Sequence, residues 1–351
     1  MTGERKSAGG GRVKNMKIKN IVVGLIIIAA VVGSVLILKS LKEKNMSSQK
    51  PQQKPFKIGM ITYPATLPFF VAKEKGFFAK RGANVEIVVM NDFNQWVSSL
   101  ANNQIQAFYS TPDLTSVFVD AGVRVKEVFA TDVGYGSDGL LVQNSINSLK
   151  DLKGQTVYLP LGAPGHFILR YVAKQQGLTP NDLKFTQMEA AEVGIAFAAG
   201  KINAGMTWEP HLSEGKKRAD GKTLFTTRDY KGILLQTIVV RTDALKMRRE
   251  EVKALIRGWL DAIEYWQTNK DEANEIAAKA MGLTTKEFED QVETVRFLGN
   301  LDEIKKKFDK SEKFNVYELT EKAIEIFKND GVIKGNIKAE DIIDTSIIKE
   351  L

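Results

Sequence analysis

The 351 residues include no cysteine and only two histidines, His166 and His211. The first absence excludes disulfide staples, cysteine nucleophiles, thiolate metal sites and a lipid attached through cysteine. The second leaves too few imidazoles for a histidine-rich metal centre. Neither a G-x-S-x-G nucleophile turn nor a G-x-x-x-x-G-K-[ST] phosphate loop occurs. Proline is sparse, at nine residues. A composition of 43% hydrophobic and 26% charged residues excludes a disordered or collagen-like chain. The length suits two domains or one large one.

Basic charge is also missing where a nucleic-acid binder would need it. The net charge is +8, but residues 1–55 hold eleven Lys/Arg against Glu4 and Glu43, a net +9, so residues 56–351 carry +8 − 9 = −1. A protein that neutralises phosphates carries its excess on the folded body. No nucleic-acid partner is expected.

One long apolar run is present. Ile21–Leu38 reads IVVGLIIIAAVVGSVLIL, without charge, and 18 residues at about 1.5 Å each span roughly 27 Å, enough for a hydrocarbon core. The run exceeds the h-region of a cleavable signal, and no small-x-small site follows it. This predicts an uncleaved transmembrane signal anchor at 21–38, after a cytoplasmic basic N-terminus at 1–20. The flanks carry equal positive charge, so counting charges does not orient it. Residues 39–55, polar and proline-containing, read as a flexible linker.

From Phe56 onward short apolar runs alternate with helical patterns. Strands are expected at 57–62, 84–90, 104–109, 156–159, 184–187, 204–207 and 234–241. Helices are expected at 68–75, 94–102, 113–121, 166–176, 190–199 and 249–269. The alternation predicts parallel sheets with crossover helices, an α/β fold in two units with a helical tail. Trp259, Tyr265 and Trp266 fall at packing positions of the long helix, and Glu318 and Lys322 on a solvated face of the tail.

Two α/β units place the default ligand site in the crevice between them, lined by loops after strand C-termini. Those loops hold Tyr63 and Thr66, Ser110 and Asp113, Tyr135 and Asp138 (within 132–138), Gly165 and His166, and Trp208 and Glu209. These ten are the candidate ligand-binding residues. No catalytic residue, metal ligand or cofactor is expected. Asp113 and Glu209 equally suit first-turn positions of helices, Trp208 equally suits core, and His166 suits a hydrogen-bonding role in its loop.

At these residues the sequence resembles a known family, the periplasmic substrate-binding proteins of ATP-driven importers for nitrate, taurine, aliphatic sulfonates and the thiamine pyrimidine precursor. The matching pieces, in order, are LPFFVAKEKGFFAKRG (67–82), TPD (111–113), YGSDGLLV (135–142), SLKDLKGQTVYLPLGAPGHFILRYV (148–172), FAAGKINAGMTWEPHLS (197–213) and WLDAIEYWQTNKDEANEIAAK (259–279). The resemblance implies a type II two-lobed periplasmic-binding-protein fold with a hinge crossed twice, near Gly139–Gln143 and Leu234–Arg241. Lobe 1 would then comprise 56–140 and 235–351, and lobe 2 would comprise 141–234. It also implies a small-molecule ligand, an ATP-binding-cassette permease as partner, and a binding domain on the extracytoplasmic side of the cell membrane.

The candidate loops carry Asp113, Asp138 and Glu209 but no Lys or Arg, which favours a nitrogenous or zwitterionic ligand. The glycine-rich turn 162–165 before a helix, with His166, favours an anion. Two other classes compete with transport. One is the fungal synthase of the thiamine pyrimidine, whose cysteine-rich motif has no counterpart here. The other is a membrane-tethered sensor.

Overall fold

The computed structural model describes residues 54–351, with Thr2 and Lys39. The expected basic N-terminus, the anchor at 21–38 and nearly all of the linker lie outside the described residues. Among the described residues no helix is long and apolar enough to cross a membrane.

Among the described residues, eleven strands build two sheets. β1 (Phe56–Met60), β2 (Val85–Val89), β3 (Ala107–Ser110), β4 (Val125–Gly134), β10 (Leu235–Arg241) and β11 (Val295–Phe297) form the first, in the order β11-β4-β10-β3-β1-β2. β5 (Asp138–Gln143), β6 (Thr156–Leu159), β7 (Lys184–Gln187), β8 (Ala204–Trp208) and β9 (Gly221–Thr226) form the second, ordered β7-β6-β8-β5-β9.

β1, β2 and β3 pair in parallel, with Ile58 opposite Ile87 and Ala107. β6 likewise pairs in parallel with β7 and β8, but the expectation of wholly parallel sheets fails at β5, β10 and the edge strands β9 and β11. β10 runs antiparallel to β3 and β4, and β5 antiparallel to β8 and β9. The reason is topological: a strand that follows a passage from the other sheet enters without a crossover helix and so need not run parallel. The passages themselves are residues 135–137 and 227–234. They lead into Gly139–Gln143 and Leu234–Arg241, near which the crossings are expected and which form most of strands β5 and β10.

Local chemistry sets the helices. α1 (Leu67–Glu74) has Pro68 in its first turn and ends before Gly76, whose φ of 71° suits glycine. α2 (Phe93–Ala101) is capped by Asp92, which accepts from the Gln95 N–H at 2.9 Å. α3 (Pro112–Asp120) and α4 (Pro164–Gln175) both begin on proline. α5 (Ala190–Ala198) packs beside β8. The long α6 (Arg249–Thr268) buries Trp259 against Phe69 and Phe129, with ring centroids 6.4 and 5.4 Å away. Burying a side chain such as Phe69 contributes roughly 3 kcal/mol. α7 (Val316–Asn329) lies on α3, and its Glu318–Lys322 pair is solvated at 3.6 Å.

Candidate functional site

A narrow cleft, with an empty volume of ≈ 360 Å³, lies where the two sheets' loops meet. From the first sheet it takes Ile61, Tyr63, Trp96, Phe108, Tyr109, Ser110, Thr111, Leu114 and Gln236. Asp138, Pro164 and Trp208 come from the second. The topology explains the convergence. Tyr63 follows β1, Ser110 ends β3, Asp138 opens β5 directly after the first passage, Pro164 opens α4 and Trp208 ends β8. Five of the twelve lining residues, Tyr63, Trp96, Phe108, Tyr109 and Trp208, are aromatic. No Lys or Arg lines the cleft.

The polar centre is a hydroxyl–carboxyl relay. Tyr63 Oη donates to Ser137 Oγ at 2.6 Å, and Ser137 Oγ donates to Asp138 Oδ2 at 2.9 Å. Behind the wall, Tyr109 Oη and Thr131 Oγ1 both donate to Asp132 Oδ1 at 2.8 Å. The buried oxygens Asp132 Oδ2, Asp113 Oδ2, Glu127 Oε2 and Thr111 Oγ1 have no partner. Burial, with no cation to offset it, drives these acids up. Asp138 and Asp113 rise to about 7, and Asp132 and Glu127 to about 8. The same burial raises Tyr63 and Tyr109 well above the usual phenol range, so both stay donors.

Four of the ten expected residues, Tyr63, Ser110, Asp138 and Trp208, line the cleft. The other six lie elsewhere, each for a physical reason. Thr66 turns its hydroxyl onto the Tyr63 carbonyl at 2.7 Å and closes the local turn. Asp113 is buried in the first turn of α3, behind Thr111. Tyr135 sits outside among cations: the Arg296, Arg228 and Lys231 groups lie 4.3, 4.8 and 5.6 Å from its ring centroid. The segment 132–138, expected as one loop, is mostly strand, and only 135–137 connect.

Gly165 is needed for packing, since a Cβ there would stand 2.9 Å from Met206 Cγ. His166 points away from the cleft: its Nε2 meets Asp330 Oδ2 at 2.6 Å and its Nδ1 accepts from the Gly162 N–H at 3.1 Å. Glu209 is buried and turned onto the following helix, accepting from the Ser213 N–H at 3.0 Å and pairing with Lys216 Nζ at 3.2 Å. Sequence reasoning missed Glu127, Gln236 and Tyr109, and held Asp132 and Ser137 only as members of the 132–138 loop. The adjacent hydroxyl of Ser137 was the one available hint. Among the described residues no group of three or more His, Asp or Glu could hold a metal ion.

Two α/β sheets linked by two passages, with a buried cleft where their loops converge, define a periplasmic-binding-protein fold. Residues 63–273, more than half of the chain, match the family described as NMT1/THI5 like, and the chain belongs to that family. It is 26% identical over 93% of its length to a Bacillus subtilis protein named for binding aliphatic sulfonates, covering 96% of that protein. To the taurine-binding periplasmic protein of Escherichia coli it is 27% identical, over 58% of this chain and 64% of that one.

Among solved structures, the alkanesulfonate-binding protein SsuA from Xanthomonas axonopodis superposes with a TM-score of 0.69 at 15% identity, covering 83% of this chain and 98% of that one. The nitrate-binding protein NrtA from Synechocystis superposes with 0.68 at 15% identity, covering 86% and 88%. The chain thus has the fold of the substrate-binding proteins of ATP-binding-cassette importers.

Proposed function

We propose that this protein is an extracytoplasmic solute-binding protein. It captures a small nitrogenous or zwitterionic molecule between two lobes, one built on each sheet, and delivers it unaltered to an ATP-driven permease. The segment at 21–38 anchors it in the membrane, and the tether raises its concentration beside that permease. The observation that carries the ligand class is Asp138: a buried carboxyl in the cleft that receives only hydroxyl hydrogen bonds and has no cationic side chain among the lining residues. A ligand ammonium or amidinium supplies the missing charge, and a charge-assisted bond of that kind is worth about 1.5–3 kcal/mol. Trp208 and Tyr63 offer it aromatic faces.

A second reading, an anion binder of the sulfonate or nitrate type, is favoured by one observation. Thr111 and Pro164, at the N-terminal ends of α3 and α4, both line the cleft, and helix N-termini attract negative charge. A zwitterion such as taurine satisfies both ends. The absence of cysteine and the binding-protein names of the relatives argue against the synthase reading.

A thermal-shift panel of amines, aminopyrimidines, taurine, alkanesulfonates and nitrate tests the proposal, because a ligand of the native state must raise Tm by mass action. The account expects amine-bearing compounds to lead, and to be recovered with unchanged mass. A panel led by nitrate or an amine-free sulfonate, or a compound recovered altered, would refute it.

A further inference from the structure

Outside the cleft, the two sheets' layers meet along a seam that, among the described residues, holds one buried ionic contact beside the ring contacts His166–Phe327 and Tyr171–Phe314. α4 packs on β8 and β5 of the second sheet, whereas α7 lies on α3 of the first. Asp330, which caps the C-terminus of α7, reaches across to α4. Its Oδ2 accepts from His166 and from Arg170 Nε, each at 2.6 Å, and the three side chains are only 7%, 2% and 12% exposed. An acid at the negative end of a 14-residue helix is unfavourable for that helix, so helix stability does not explain it.

The receiving polar groups are oriented by second-sheet elements, while the His166 ring also packs 5.2 Å from the Phe327 ring of α7. Arg170 lies 3.9 Å from the Phe185 ring centroid and donates to the Pro180 carbonyl at 2.8 Å. His166 Nδ1 accepts the Gly162 N–H, which fixes the neutral tautomer with its proton on Nε2, aimed at Asp330. The turn that begins at Gly162 runs directly into Pro164 of the cleft lining. Around this contact the seam is open, a groove of ≈ 660 Å³ empty volume lined by Arg170, Pro180, Glu325 and Asp330. The contact is therefore a separable plug in a socket, with the exposed Lys174–Glu325 pair at 2.7 Å beside it.

We propose that Asp330, seated between His166 and Arg170, is a latch that holds the two halves closed, and that these residues set solute affinity without touching the solute. This rests on the reading of two halves that close on a ligand. Each half carries its part of the latch ready-made, so docking costs little side-chain ordering. Its rupture leaves a charge buried without its partner, an effect that falls on dissociation rather than on encounter.

The chain's lack of cysteine makes the test direct. Spin labels are placed on the full-length protein through Glu74→Cys on the first-sheet side and Lys201→Cys on the second, and the distance between them is measured without solute in the parent and in Asp330→Asn. The latch predicts a shift of the distance distribution to longer values in Asp330→Asn, with Asp330→Glu partly restoring the parent. For taurine as probe, it predicts dissociation about tenfold faster and association within twofold. Arg170→Gln, which leaves Asp330 its histidine, is the second variant should Asp330→Asn fail to fold. Unchanged distances and rates in the folded variants would overturn the latch. If the parent binds neither taurine nor any other amine, the reading of the cleft fails, while the distance comparison still decides the latch.

Discussion

Replacing Asp132 with Asn tests whether the acids under the cleft are held protonated. Asp132 Oδ1 accepts two hydroxyl bonds while Oδ2 has no partner, and no cation pairs with either oxygen. Its folded-state pKa of about 8 stands against an ordinary 3.8. Between these values the unfolded chain gives up its proton and the native protein keeps it, so stability is greatest near pH 4, falls as pH rises and levels off above about pH 8. Each pH unit costs about 1.4 kcal/mol for one such group, so roughly 4 kcal/mol is lost between pH 5 and pH 8.

Asn keeps the acceptor for Tyr109 and cannot ionise. Urea unfolding of parent and Asp132→Asn, followed by tryptophan fluorescence every half pH unit from 5 to 9, should give curves that diverge up to about pH 8, the variant gaining about 1.4 kcal/mol per unit on the parent, and run parallel beyond it. Curves parallel throughout would refute the reasoning. The depressed acids Asp182 and Glu350, each at about 2, titrate below this window and do not confuse it.

Two further outcomes follow from packing. Gly165→Ala drives a methyl against Met206, so a loss of about 1–3 kcal/mol in urea unfolding is expected, with partial recovery when Met206→Ala is added; no loss would show that the α4–β8 approach is slack. Tyr135→Ala removes a ring held outside the cleft by Arg228, Lys231 and Arg296, so calorimetric solute affinity should stay within twofold, and a tenfold loss would bring that ring back into the site.

The sequence carried the alternation of elements well wherever apolar residues were uninterrupted. Strands β6 and β7 fall where expected, and β1 to β3 and helices α1 to α5 within a few residues. It hid β4, because VKEVFATDVG places Glu127 and Asp132 at strand positions that read as solvent-facing, whereas both are fully buried. The same disguise concealed the buried Glu127 and made Asp132 read as a loop residue. The glycine-rich YGSDG disguises the start of β5 as the end of a loop at 132–138, although two of its residues begin a strand.

Four loop residues reached the cleft because strand-end loops of two facing sheets must converge. Those that missed it were claimed by nearer partners: a turn carbonyl for Thr66, a helix start for Glu209, surface cations for Tyr135. His166 went to Asp330, 164 residues away in sequence, a partner that no local pattern reveals.

The central claim, that a buried carboxyl in an otherwise cation-free cleft selects an amino group, is tested most directly by calorimetric titration with taurine and with ethanesulfonate, which differ only in the amine. The account predicts one-to-one binding of taurine at least about tenfold tighter than ethanesulfonate, a ratio that collapses toward one in Asp138→Asn. Ethanesulfonate binding as tightly as taurine to the parent, or a ratio untouched by Asp138→Asn, would contradict it.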